Sequence, residues 1–113
     1  MFKIYHNPRC KKSRAGLQYL QEKGIEPEIV EYLKKPLAEE DIKDLLVRLN
    51  KKPKEIIRTQ ESIYKSNFRG KNFTDDEWVK ILVEHPKLIS RPIVVKGPKA
   101  VIGDPATEID VML

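Results

Sequence analysis

The stretch from Tyr5 to Gly16, YHNPRCKKSRAG, holds the only cysteine of the 113-residue chain and surrounds it with charge. Arg9 and Lys11 flank Cys10, Lys12 and Arg14 follow closely, and His6 precedes it by four residues. The chemistry that these residue types offer is nucleophilic attack by sulfur. Only a thiolate attacks, and a free thiol with a pKa of about 8.5 is only a few per cent ionised at neutral pH. Nearby cations and the unpaired N–H groups at a helix start favour the ionised form. A lone cysteine is often no more than a small buried hydrophobe. A charged turn between a strand and a helix is not a core environment, however, and that favours the nucleophile. His6 and Cys10 would also make half of a zinc site. With His85 as the one other soft ligand, a four-ligand structural site is not expected.

The elements that must position this turn can be read from periodicity. Phe2-Lys3-Ile4-Tyr5 is short, partly alternating and β-prone, which predicts a first strand. Asn7-Pro8 breaks it. Ser13 to Lys23 then has helical spacing, with Leu17, Tyr19 and Leu20 on an apolar face and Gly24 as the stop. Glu28 to Tyr32 alternates as a second strand, completing β-α-β. Glu39 to Leu49 carries a core-facing stripe of Ile42, Leu45, Leu46 and Leu49. A short helix is expected from Pro53, and Ser62 to Asn72 has no readable pattern. Thr74 to Glu77 is a capping box that starts a helix through Trp78, Ile81 and Leu82, ended by His85-Pro86. Pro92 to Val95, the KGPK turn and Ala100 to Ile102 predict a hairpin. Asp104 as N-cap and Pro105 in the first turn would open a final short helix.

This order predicts an α/β fold. It is a thioredoxin-like mixed four-stranded sheet flanked by helices, with a helical insertion between the β-α-β and β-β-α parts. The expected organisation is a single domain over residues 1–113, its core at about 1–35 and 87–113 and its insertion at about 36–86.

Composition narrows the function. Hydrophobic residues at 40% and charged ones at 35% describe an ordinary globular chain. No apolar run approaches the roughly 20 residues of a membrane span, and no secretory leader pattern precedes Cys10, so no membrane partner is expected. One cysteine cannot form an internal disulfide, which points to the reducing cytoplasm. The net charge is +5. The basic residues fall in scattered pairs such as Lys34-Lys35 and Lys51-Lys52, without interleaved aromatics, so direct nucleic-acid binding is not expected. The excess charge suits an anionic small molecule.

HNPRCKKSR, IIRTQESIY, NFTDDEW and EHPKLISRPIVV together resemble the ArsC-type arsenate reductase family, whose relatives include Spx regulators and small glutathione-linked thiol reductases. The resemblance runs from Phe2 to the C-terminus and implies an oxidoreductase for arsenate or a similar oxyanion. It further implies no bound cofactor, glutathione as co-substrate and glutaredoxin as partner. Cys10 matches the family's nucleophile, and His6 matches the histidine that helps to activate it. Arg58 and Arg91 match two oxyanion-binding arginines, and Pro92 matches the cis-proline beside the active cysteine. Ser13 stands where a dithiol protein has its resolving cysteine and would donate a hydrogen bond to the thiolate. Asp104 departs from the pattern, because the family has a third arginine there. That departure keeps open a thiol-disulfide reductase without arsenate activity. The third alternative is an Spx-like module that binds RNA polymerase, although Cys10-Lys-Lys-Ser13 lacks a CxxC redox switch.

Overall fold

Every residue from Met1 to Leu113 is described in the computed structural model. The chain divides into two compact units, Met1–Lys35 with Arg91–Leu113, and Pro36–Ser90.

In the first unit, strands β1 (Phe2–Tyr5), β2 (Glu28–Val30), β3 (Ile93–Lys96) and β4 (Lys99–Ile102) form one sheet in the order β2-β1-β3-β4. β1 pairs parallel with β2, and β3 pairs antiparallel with both β1 and β4. This is the thioredoxin-like mixed α/β sheet that the order of elements predicts. Helix α1 (Lys11–Glu22) joins β1 to β2, and a 3₁₀ helix (Ala106–Met112) follows β4. Ile4, Leu20, Val94 and Ile109 are fully buried together, with Phe2, Leu17, Tyr19, Ile25 and Val101 packed around them. Each such aliphatic side chain contributes about 1.5–3 kcal/mol on burial, so the apolar alternation of β1 and the spacing of α1 find one shared core. Gly97, with φ 58, supplies the positive φ at the first position of the two-residue hairpin turn.

Several boundaries differ from the sequence pattern. α1 starts at Lys11, two residues before the expected start at Ser13, because Cys10 itself is the N-cap with extended φ and ψ. β2 stops at Val30, where its pairing with β1 ends, although the alternation continues to the buried Tyr32. Asp104 does not cap the last helix. The Asp104–Pro105 bond is cis, Pro105 is the N-cap, and the helix is 3₁₀ throughout.

The second unit contains α2 (Glu39–Leu49), a 3₁₀ turn (Pro53–Ile56), α3 (Ser62–Asn67), α4 (Asp75–Glu84) and a 3₁₀ turn (Pro86–Leu88). The predicted stripe of α2 is buried, and it packs on α4, which buries Trp78, Val79 and Leu82. Thr74 forms the capping box with Glu77. α3 lies inside the stretch that has no readable pattern. It is six residues long with none buried, and it leads into Phe68, which joins Phe73, Trp78 and His85 in an aromatic cluster. Ile57 bridges to Ile89, the Arg58 N–H donates to Leu88 O at 2.7 Å, and Ser90 Oγ donates to Ile56 O at 2.7 Å.

One contact in the first unit places α1. A Cβ built on Gly16 would stand 2.6 Å from Pro92 Cγ and 3.6 Å from Gly103 O. The Arg91–Pro92 bond is cis, and the proline ring lies directly against the helix. At an exposed helical site Gly→Ala stabilises by about 1 kcal/mol. At Gly16 the overpacking outweighs that gain, and Gly16→Ala is expected to destabilise by about 1–3 kcal/mol. Urea unfolding checks the sign; a midpoint equal to or above the wild type would show that the ring yields.

Candidate active site

The loop between β1 and α1 is closed by its own polar groups. Asn7 O accepts from the Cys10 N–H at 3.0 Å, and Asn7 Oδ1 accepts from the Arg9 N–H at 3.1 Å. Asn7-Pro8 favours this turn because an asparagine side chain bonds the backbone two residues on. Cys10 O then accepts from the Arg14 N–H as the first bond of α1. Arg14 also reaches back, donating from Nη1 to Pro8 O at 2.9 Å. The result is a half-buried thiol at the positive end of a twelve-residue helix.

Four influences meet at the Cys10 sulfur. Partial burial pushes its pKa up, as desolvation always does for a group that ionises to an anion. Opposing this are the backbone N–H of Ser13, the guanidinium of Arg91 as donor and as charge, and the backbone N–H of Lys12. The balance holds the thiol below its ordinary value. No capping hydrogen bond of ordinary geometry closes on the uncharged side chain. The N–H groups act on it as nearby dipoles, from which a thiolate gains more than a thiol. Arg91 is 8% exposed, which makes its charge count for more than that of a solvated lysine.

His6 and Ser13 are both buried, and they bond each other. His6 Nδ1 lies 2.7 Å from Ser13 Oγ, which also accepts from the Asn7 N–H at 3.0 Å. Ser13 Oγ is therefore engaged by His6 and Asn7, and the Ser13 backbone N–H is the group that acts on the sulfur. His6 likewise meets Ser13 rather than Cys10. Burial lowers the His6 pKa, Glu31 raises it and Arg14 lowers it, with a net shift downward. A neutral imidazole at neutral pH follows, acting as a hydrogen-bond strut between the end of β1 and the first turn of α1.

The structure thus brings Cys10, His6, Ser13, Arg91 and Pro92 together in the first unit. Arg58 belongs to the second unit. There its Nε donates to Glu61 Oε2 at 3.1 Å, with both side chains largely buried. Asp104 pairs with Lys12 at 3.1 Å, in the first turn of α1. Lys96 donates from Nζ to Met112 O and lies over the Phe2 ring. Sequence reasoning did not find the role of Asn7, or that Gly16 is the residue on which Pro92 rests. The Asn-Pro turn signal and a glycine inside a helical pattern were the available clues.

Comparison with known proteins follows from this geometry. A model of the ArsC family matches residues 5–112. The uncharacterized protein YfgD of Escherichia coli K12 is 42% identical over 109 residues, spanning 95% of this chain and 92% of that protein. An arsenate reductase of Neisseria meningitidis serogroup A is 37% identical over 113 residues, spanning 98% and 97%. The solved structure of an arsenate reductase from Vibrio cholerae superposes with a TM-score of 0.93 at 37% identity, covering 99% of this chain and 97% of that one.

The electrostatics predict a pH dependence. Because the folded Cys10 pKa is lowered, the thiolate persists below the range of a free thiol and is lost as pH falls through the lowered value. The rate of iodoacetamide alkylation plotted against pH should show a midpoint below that of the same thiol in urea. Arg91→Ala should move it upward and Arg91→Lys only part of the way, since lysine has charge without the planar fork. Coincident folded and unfolded midpoints would make Cys10 an ordinary thiol.

Proposed function

The chain belongs to the ArsC family, and we propose that it is a glutathione- and glutaredoxin-dependent arsenate reductase with Cys10 as its nucleophile. The observation that carries this reading is the Cys10 sulfur at the start of α1 with the buried Arg91 beside it. Arsenate is a tetrahedral oxyanion, and thiolate attack on it brings two anions together. A cation must offset that repulsion, and a guanidinium suits the task because its rigid donors span two oxygens. The family pattern assigns Arg58 to the same anion. With Nε held by Glu61, its terminal N–H groups remain as donors.

The reaction balances as two thiols for one two-electron reduction. The Cys10 thiolate forms a sulfur–arsenic bond, and one oxygen, protonated, leaves as water. A glutathione thiolate then attacks the Cys10 sulfur. A sulfur–sulfur bond forms, and the pair of the sulfur–arsenic bond passes to arsenic, which leaves as arsenite. A glutaredoxin thiolate attacks the glutathione sulfur of the mixed disulfide and frees Cys10. With one cysteine in the chain, both reducing thiols must come from outside. Pro92, the residue after Arg91, packs its ring against α1 at Gly16. His6 and Ser13 hold that turn on β1.

NADPH consumption with arsenate, glutathione, glutaredoxin and glutathione reductase tests the reading. Cys10→Ser should give no turnover, because a serine hydroxyl is not ionised at neutral pH, and retained turnover would remove the mechanism. Arg91→Ala and Arg58→Ala should each lose about 2–4 kcal/mol of transition-state stabilisation. Wild-type rates in both would place oxyanion binding elsewhere.

Asp104 favours a second reading, a thiol-disulfide reductase without arsenate activity. It replaces the family's arginine with an anion, and it occupies Lys12. Asp104→Arg removes the carboxylate and releases Lys12, so kcat/KM for arsenate should rise. The Lys12–Asp104 pair is solvent-exposed and caps nothing, so the loss of stability should stay below about 1 kcal/mol. Unchanged or lower efficiency in a folded Asp104→Arg protein would show that position 104 does not limit arsenate chemistry.

A further inference from the structure

The pairing of β1 with β2 ends where the Cys10 loop begins. Its last rung is the His6 N–H donating to Val30 O at 2.9 Å. Beyond it the two chains part. Residues 6–9 run toward Cys10, while the chain after β2 turns on Glu31, whose carbonyl accepts from the N–H groups of both Lys34 and Lys35 at 3.0 Å. Between them lies a cleft of about 220 Å³, walled by His6, Pro8 and Leu33 and rimmed by Arg9, Glu31 and Lys34. It opens off the carboxyl ends of two parallel strands, the place where α/β sheets leave a crevice for ligands. The oxyanion chemistry does not use it.

We propose that this cleft holds the peptide part of the reducing thiol, glutathione. The inference rests on the glutathione-dependent reading above and adds where that co-substrate docks. Charge complementarity selects the occupant. At neutral pH glutathione carries two carboxylates and one ammonium, and the rim carries two cations, Arg9 and Lys34, and one carboxylate, Glu31. Lys34 Nζ and Glu31 Oε1 are 3.4 Å apart, the lysine exposed and the glutamate half-buried, a weak pair that opens readily to new partners. The wall is held in place on the Cys10 side, since Pro8 O is bonded by Arg14 and the Arg9 N–H by Asn7. Arg9 is the residue before Cys10, so a tripeptide seated on this rim brings its thiol to the sulfur it attacks. The step served is the sulfur–sulfur bond formation already written, and it needs no further reactant.

The test uses S-methylglutathione, which binds but cannot react, titrated into the full-length ¹⁵N-labelled protein. Saturable amide shifts should cluster at His6, Asn7, Arg9 and Glu31 to Lys34. The charge-reversed variant Arg9→Glu, Lys34→Glu should weaken this binding about tenfold or more. Both positions are exposed, and if the double reversal fails to fold, Arg9→Gln with Lys34→Gln reads the same loss at smaller size. In the coupled assay the variant should raise KM for glutathione and leave KM for arsenate in place. Shifts confined to other residues, no saturable shift, or unchanged glutathione affinity in the variant overturns the cleft. Binding at the cleft without arsenate turnover overturns the arsenate reading and leaves the cleft standing. Turnover with an unchanged glutathione KM in the variant does the reverse.

Discussion

A sulfur that is partly withdrawn from water loses the solvent that would stabilise its charge, so a low thiol pKa has to be supplied by fixed dipoles and cations. At Cys10 these come from two directions. The N–H groups of Lys12 and Ser13 belong to the first turn of α1, and the guanidinium of Arg91 arrives from the segment leading into β3. These positions are far apart in the chain. They meet because Gly16 has no side chain where Pro92 Cγ stands 2.6 Å from the place of its Cβ. A larger residue would push the helix away from residues 91 and 92, and with it the sulfur from its cation. Packing at Gly16 and ionisation at Cys10 are therefore one constraint.

The His6–Ser13 bond serves the same end by a different route. Asn7, His6 and Ser13 are all buried, and each polar group needs a partner there. His6 Nδ1 and the Asn7 N–H share the Ser13 hydroxyl. This ties the first residue of the loop to the third residue of the helix. A histidine drawn to a cysteine by sequence distance alone suggests a base beside a nucleophile. In the structure its Nδ1 pairs with Ser13 Oγ, and burial lowers its pKa.

Much of the fold was legible because most elements have a strong local pattern. The stripe of α2, the capping box of α4, the alternation of β1 and the Gly97 turn each specify their own geometry. What failed to show was set by contacts that local pattern does not carry. α3 buries no residue and exists as the approach to Phe68 and its aromatic neighbours. Tyr32 alternates like a strand yet lies beyond the last pairing with β1. Asp104-Pro105 reads as a helix start by residue type, but the N-cap is Pro105 and the aspartate pairs with Lys12. For the site, residue types located Cys10 and the resemblance located Arg91 and Pro92. The pairing of Ser13 Oγ with His6 Nδ1 required coordinates.

The pairing of Lys12 with Asp104 leaves the sulfur's unit with Arg91 as the buried cation at the thiol. One guanidinium then faces two demands in the proposed reaction, to keep the thiolate ionised and to receive the oxyanion. The demands are successive rather than simultaneous. Before attack, sulfur carries the charge and Arg91 is best placed on it. As the sulfur–arsenic bond forms, that charge passes to the oxygens, and the same fork of donors gains by following it. The helix N–H groups cannot follow, being fixed in α1, so they favour the free thiolate over the adduct. They also favour the thiolate as leaving group when the mixed disulfide is resolved, because a sulfur of low pKa leaves faster. A fixed dipole on one side and a side-chain cation on the other thus divide the catalytic cycle. The helix promotes generation and release of the thiolate, and Arg91 promotes its transfer to the oxyanion.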